Sequence, residues 1–276
     1  MANTKPTILV TNDDGINAYG LRTLIKIMRN LGDVVVVAPD RPRSGQGHAI
    51  TVTMPLRVTQ IHQEEGYSEY SCNGTPVDCV KFGVQIILRR QPDLVVSGIN
   101  HGSNASVNVF YSGTMAAVIE AAIDKIPAIG FSLDDYDSNA NFSHIEKYVE
   151  KISSEVLRKG LPFNTCLNVN FPKLQDEPIK GVKVCRQSLG SWKEAFDERT
   201  DPYGGNYYWI TGIFSNADHK EGTDTWAMEK NWVSVVPMKF DLTNHESIKL
   251  LSEYNFDFGH NNKTLLETKS ATTYNK

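Results

Sequence analysis

The chain has 276 residues, 40% of them hydrophobic and 22% charged, with a formal net charge of −4. That length can fill one large core, and the balance excludes a disordered chain and lacks the basic excess of proteins that bind nucleic-acid polymers. No run of about 18 apolar residues is present to span a membrane, and the N-terminus, "MANTKPTILV", has no signal-peptide core. A cytoplasmic protein without a membrane partner is expected. The four cysteines, Cys72, Cys79, Cys166 and Cys185, show no C-x-x-C spacing, which argues against zinc and for reduced core thiols.

In chain order, "TILVT" reads as a strand and "LRTLIKIMRNL" as a helix, with Leu21, Leu24, Ile25, Met28 and Leu31 on one stripe. "VVVVAP" is a β-branched run suited to a strand covered on both faces. "ITVTMPLRV" and "YSEYSC" are predicted to form a hairpin or an edge, and "TPVDCVKFGVQIILRR" a helix. Thr75, Pro76 and Asp78 have the spacing of a capping box at that helix's start, so Thr75 is given a structural role. "DLVVSG" and "PAIGFSL" read as strands around the helix "GTMAAVIEAAIDKI", and "HIEKYVEKISSEVLRKG" as a helix stopped by Gly160. Beyond Leu161, strand-like segments dominate: "CLNVNFP", "GVKVCRQSL", "NYYWITGIF" and "WVSVVPM". "TDTWAMEKN" and "HESIKLLSEY" are the helical pieces there.

The alternation predicts an α/β fold: a Rossmann-like three-layer α/β/α arrangement with a mostly parallel sheet and a C-terminal β/helical extension. One domain is expected over 1–276. Its core lies at about 7–160, the sheet continuation and a protruding element at about 161–258, and a polar tail at 259–276.

In such sheets ligands bind at the carboxyl ends of strands. Polar loops stand at those ends here: "TNDDG", "PDRPRSGQGH", "SGINHGSN" and "YSGT". Asp13 and Asp14 are adjacent, and like charges about 4 Å apart repel by roughly 4 kcal/mol at an effective dielectric of 20. Gly15 permits a turn that brings both to one point, where a hard dication relieves the repulsion; an Asx-turn or helix cap is the plainer alternative. Ser44 and Asn100 offer neutral oxygens. Asn104 can donate its amide to a phosphate, and the helix start at Ser112, Gly113 and Thr114 offers free N–H groups to an anion, although Ser112 or Thr114 also suits a plain N-cap. Together these point to metal-assisted hydrolysis of phosphate esters.

"ILVTNDDGINAYGL", "VVVVAPDRPRSGQGHAIT", "CNGTPVDCV", "PDLVVSGINHGSN", "YSGTMAA" and "VSVVPMKFDLTNH" follow one another in this order. In that ordered set the chain resembles the survival protein SurE family of metal-dependent nucleotidases, over roughly Thr7 to Leu250. The resemblance implies a 5′-nucleotidase, with 3′-nucleotidase and exopolyphosphatase side activities. It implies one divalent cation per subunit, Mg²⁺ or Mn²⁺ (Ca²⁺ in crystals), held by Asp13, Asp14, Ser44 and Asn100. Asn104, Ser112, Gly113 and Thr114 match positions around the phosphate, and Asp13, Asp14 and Asn100 form the catalytic set. It also implies a homodimer or homotetramer that exchanges a C-terminal segment, with Asp241 and His245 in a structural role there.

The expected reaction is attack of water on phosphorus, with an aspartate as base or nucleophile left open and His48 and His101 as candidate acids. Phe110 and Tyr111 are candidates for stacking on a base. A non-catalytic nucleotide-binding module or a phosphoacceptor signalling domain is the alternative. A dinucleotide oxidoreductase is disfavoured, because no G-x-G-x-x-G follows the first strand.

Overall fold

The structure, a computed structural model, describes residues 5–137, 139–254 and 256. The expected polar tail, 259–276, lies outside the described residues.

The elements run β1 (Thr7–Thr11), α1 (Tyr19–Met28), β2 (Asp33–Pro39), β3 (Val58–Glu64), β4 (Tyr67–Cys72), α2 (Pro76–Phe82), β5 (Leu94–His101), α3 (Gly113–Ile123), β6 (Ala128–Leu133), α4 (Glu146–Lys159), β7 (Cys166–Phe171), β8 (Val182–Val184), β9 (Gly190–Thr200), β10 (Asn206–Asn216), α5 (Asp224–Glu229), β11 (Val233–Met238) and α6 (His245–Leu251). The main sheet has the order β3-β4-β2-β1-β5-β6-β7-β11-β8. From β4 to β7 the neighbours in that order are parallel, while β3 and β11 join antiparallel. This is the mostly parallel α/β sheet that the alternation predicts.

Alternation within β1 shows how the layers form. Ile8 and Val10 pack with Leu21 and Leu24 of α1 and Val149 and Val156 of α4. Leu9 points the other way, to Cys79 and Val80 of α2 and Met115 and Val118 of α3. β1 thus feeds two cores, because successive side chains face opposite sides. A fully buried Leu, Ile or Phe contributes about 1.5–3 kcal/mol. Phe131, Phe142 and Phe171 are among the largest side chains buried in this way.

The capping box at α2 forms as expected: Thr75 accepts from the Asp78 amide at 3.1 Å, and Asp78 accepts from the Thr75 amide at 2.8 Å. Past Phe82 the helix widens into a π-helical stretch, Gly83–Leu88, ending at Arg89 with φ 52°. Gly160 closes α4 with φ 71°. All four cysteines are free and buried.

Two segments differ from the sequence reading. "ITVTMPLRV" is not a strand before Val58; the edge strand is "VTQIHQE" instead. "GSWKEAFDERT" is a full strand, β9, paired with β10 in a separate two-stranded ribbon. The chain divides at Phe240 into two compact units; the sheets and α1 to α5 belong to the first, α6 to the second.

Candidate active site

The crossover from β1 through α1 places β2 on one side of β1, and the crossover from β4 through α2 places β5 on its other side. The crevice at the carboxyl ends of β1 and β5 is therefore the switch point at which open α/β sheets bind ligands. The loops after both strands meet there.

Asp13 follows β1 and is 4% exposed. Its Oδ1 accepts from the Thr114 hydroxyl in the first turn of α3. The contact is close because Gly113 has no side chain: a Cβ there would sit 2.7 Å from Asp13 Cβ and 3.0 Å from Oδ2. Asp14 is half-buried, and its Oδ2 accepts from the His101 amide at the end of β5, at 3.4 Å. Gly15 takes φ +96°, a conformation that L side chains rarely adopt.

Electrostatics follow from this placement. Burial, then the Asp14 charge, pushes the Asp13 carboxyl up to about 6, with hydrogen bonds from Thr114 opposing. Burial also raises Asp14, with the His101 amide opposing. Among the described residues neither carboxylate has a cationic partner in the hydrogen bonds it makes. Two adjacent carboxylates, one buried and one half-buried, thus lack a cationic hydrogen-bond partner among the described residues, an arrangement that favours an added positive charge.

The remaining sequence candidates are distributed around this pair. Ser44 is exposed on the loop after β2, and that loop is stitched to the site by the Arg43 amide donating to the Asp13 carbonyl at 2.7 Å. Asn100 lies on β5 and donates Nδ2 to the carbonyls of Gly102 (2.8 Å) and His101 (3.3 Å), which leaves its Oδ1 without a partner among the described residues. Asn104 is buried and committed: Nδ2 donates to Ser132 Oγ at 2.8 Å, its amide donates to Asn170 Oδ1 at 2.8 Å, and its carbonyl accepts from Asn168 Nδ2 at 2.9 Å. One amide hydrogen of Asn104 remains for a ligand.

Ser112 caps α3 by accepting from the Met115 amide at 3.0 Å. The Gly113 and Thr114 amides lie in the first turn, where a helix supplies no internal acceptor. The structure therefore joins cap and anion-site geometry in one helix start.

His101 Nδ1 lies 3.1 Å from the Asp137 carbonyl. His48 Nε2 lies 2.8 Å from Glu120 Oε2, and Lys81 also pairs with Glu120. Glu120 was not singled out from the sequence. The available signal was a lone carboxylate inside an otherwise apolar helix. Ser132, Asn168 and Asn170, which fix Asn104, were missed as well; each sits in a strand that reads simply as buried. Phe110 and Tyr111 are both more than half exposed.

The sequence profile of the survival protein SurE family matches residues 8–194. A protein of Christiangramia forsetii named 5′-nucleotidase SurE is 57% identical over 259 residues, covering 93% of this chain and 100% of its own. One of the same name from Flavobacterium psychrophilum is 55% identical over 255 residues, covering 92% and 99%. The crystal structure of a SurE protein from Aquifex aeolicus superposes with a TM-score of 0.77 at 43% identity, covering 90% of this chain and 98% of the other. The profile covers more than half of the chain and these relatives at least 90% of it, and the chain belongs to the survival protein SurE family.

Proposed function

We propose that this chain is a metal-dependent phosphatase that hydrolyses nucleoside 5′-monophosphates to nucleoside and inorganic phosphate in the cytoplasm. The observation that carries the reading is the adjacent Asp13–Asp14 pair, without a cationic hydrogen-bond partner among the described residues and with Asp13 set directly against the N-terminus of α3. The names of the relatives, 5′-nucleotidase SurE, support the substrate class.

The donor set has the chemistry a hard divalent cation takes: two carboxylates, Asp13 and Asp14, with the oxygens of Ser44 and Asn100. Asp13, Asp14, Ser44 and Asn100 would hold one such ion per subunit, Mg²⁺ or Mn²⁺. When bound, it would neutralise the carboxylates and withdraw charge from the phosphoryl oxygens.

The chain's own groups do the rest. The Gly113 and Thr114 amides and the Ser112 hydroxyl receive phosphate oxygens, and the fixed helix end meets the charge that grows on them. The free amide hydrogen of Asn104 adds a donor. Water adds to phosphorus while the ester oxygen leaves and takes a proton, releasing the nucleoside. The subunits are expected to associate as a dimer or tetramer.

Phosphate release across 5′- and 3′-nucleotides and polyphosphate tests the reading. Release from 5′-monophosphates should stop with chelator and return with Mg²⁺ or Mn²⁺. Release from 3′-nucleotides or polyphosphate would add those side activities. Chelator-insensitive turnover rejects the metal, and silence on every substrate leaves a nucleotide-binding module.

A further inference from the structure

The loop after β5, which carries Asn104, has a second side that phosphate chemistry does not use. Ser103 and Asn108 of that loop join Tyr136, Lys173, Trp192 and Phe214 in lining a cavity of about 620 Å³. That lies within the 300–1,000 Å³ range of small-ligand sites and far exceeds what a phosphate fills.

Three aromatic rings, Tyr136, Trp192 and Phe214, line part of the cavity among polar neighbours. Trp192 and Phe214 face each other across β9 and β10, with ring centroids 5.7 Å apart at 61°. The Trp192 indole N–H donates to Asn108 Oδ1 at 2.7 Å, so the ring is tied to the loop leading into α3. The Tyr136 ring lies against Gly102. Beneath them, fully buried Asp224 accepts from the amides of Ser106 (2.8 Å) and Ser188 (2.9 Å), and Ser106 Oγ accepts from the Gly190 amide at 2.9 Å. The start of the ribbon and the loop after β5, which carries Asn104, are thus joined through one buried set of hydrogen bonds. Asp134, Lys173, His219 and Glu229 line the cavity as well, with Lys173 held by Asp135 at 3.0 Å.

A flat heterocycle with a polar edge, attached to a phosphate, matches this layout. Neither Phe110 nor Tyr111 lines the cavity. We infer that the cavity seats the base of the nucleotide between Tyr136 and Trp192, and that it favours purines, whose two fused rings cover more of both walls than a pyrimidine does. This inference rests on the nucleotidase reading.

The test uses the full-length protein with Mn²⁺. The wild type should show higher kcat/KM on AMP and GMP than on CMP and UMP, and adenosine alone should quench tryptophan fluorescence. Trp192→Ala should lower kcat/KM for AMP roughly tenfold or more, the scale of a lost base–aromatic stack. The variant should also lose the quench while inhibition by inorganic phosphate keeps its constant. Trp192→Phe should restore most of the AMP activity, which separates lost stacking from misfolding. A pyrimidine preference, an unchanged AMP constant in Trp192→Ala, or equal loss of AMP and phosphate binding overturns the assignment. A wild type that releases no phosphate from any nucleotide overturns the hydrolase reading instead, while an adenosine quench that disappears in Trp192→Ala still supports the base site.

Discussion

The role proposed for Asp13 sets function against stability within a single side chain. Its carboxyl is raised by burial from an ordinary 3.8 to about 6. A carboxyl with a raised folded-state pKa holds its proton more tightly folded than unfolded. Its contribution is therefore fully present below about pH 4 and is lost as pH rises through about 6; the charged form then costs on the order of 3 kcal/mol. Metal-free protein should accordingly be destabilised at this site at pH 7.5. Asp13→Asn keeps the shape and removes the charge. We expect the variant to melt above the metal-free wild type at pH 7.5, with the gap closing towards pH 4.5, and to lose activity by on the order of a hundredfold or more. Mn²⁺ should raise the wild-type melting temperature at pH 7.5 and leave the variant unmoved. Paired thermal melts with chelator or Mn²⁺ at both pH values measure this, and an equal Mn²⁺ response in the two proteins would reject Asp13 as a ligand.

At the scale of elements, α3 serves as the spine of the site. Its first turn touches Asp13, and further along Glu120 holds His48 of the loop that carries Ser44. Partners that orient ligating residues typically matter 10–100-fold in metal affinity. Glu120→Ala should therefore weaken Mn²⁺ binding roughly tenfold, the low end of that range. The stability cost should be only about 1–2 kcal/mol, since His48 and Lys81 stay substantially exposed. Calorimetric titration reads the first and denaturant melts the second; unchanged Mn²⁺ affinity would reduce Glu120 to a fold-stabilising pair. Contacts of this kind were invisible in the sequence, because His48 and Glu120 lie 72 residues apart, as Asn104 and Asn170 lie 66 apart. What was legible was local. The apolar runs of β1 and β2, the stripe of α1 and the Thr75–Asp78 box each carry their signal within a few residues. The polar strand-end motifs stood out because they interrupt buried runs. β3 and β9 escaped notice for the opposite reason: nearly all of their residues are exposed, so burial imposes no period on them.

At the scale of the whole molecule, the ribbon of β9 and β10 is the feature that a lone chain explains least. Isolated two-stranded hairpins are marginal in water. This one also sets Phe196 opposite Ile210, with Tyr208 on the same face, at 66%, 74% and 56% exposure. Apolar residues gathered on one face of a ribbon mark an association site. A second copy of the chain is the expected cover, in line with the dimer or tetramer proposed above. The double variant Phe196→Ser, Ile210→Ser changes two residues far from the sheet core, so the main fold should persist. Light scattering coupled to size exclusion should give a multiple of 30.8 kDa for the wild type and a lower multiple, down to a single chain, for the variant. Circular dichroism of the two should coincide. A wild type that elutes as one chain at micromolar concentration would remove the self-association reading, and a variant that keeps the wild-type mass would place the interface away from this face of the ribbon.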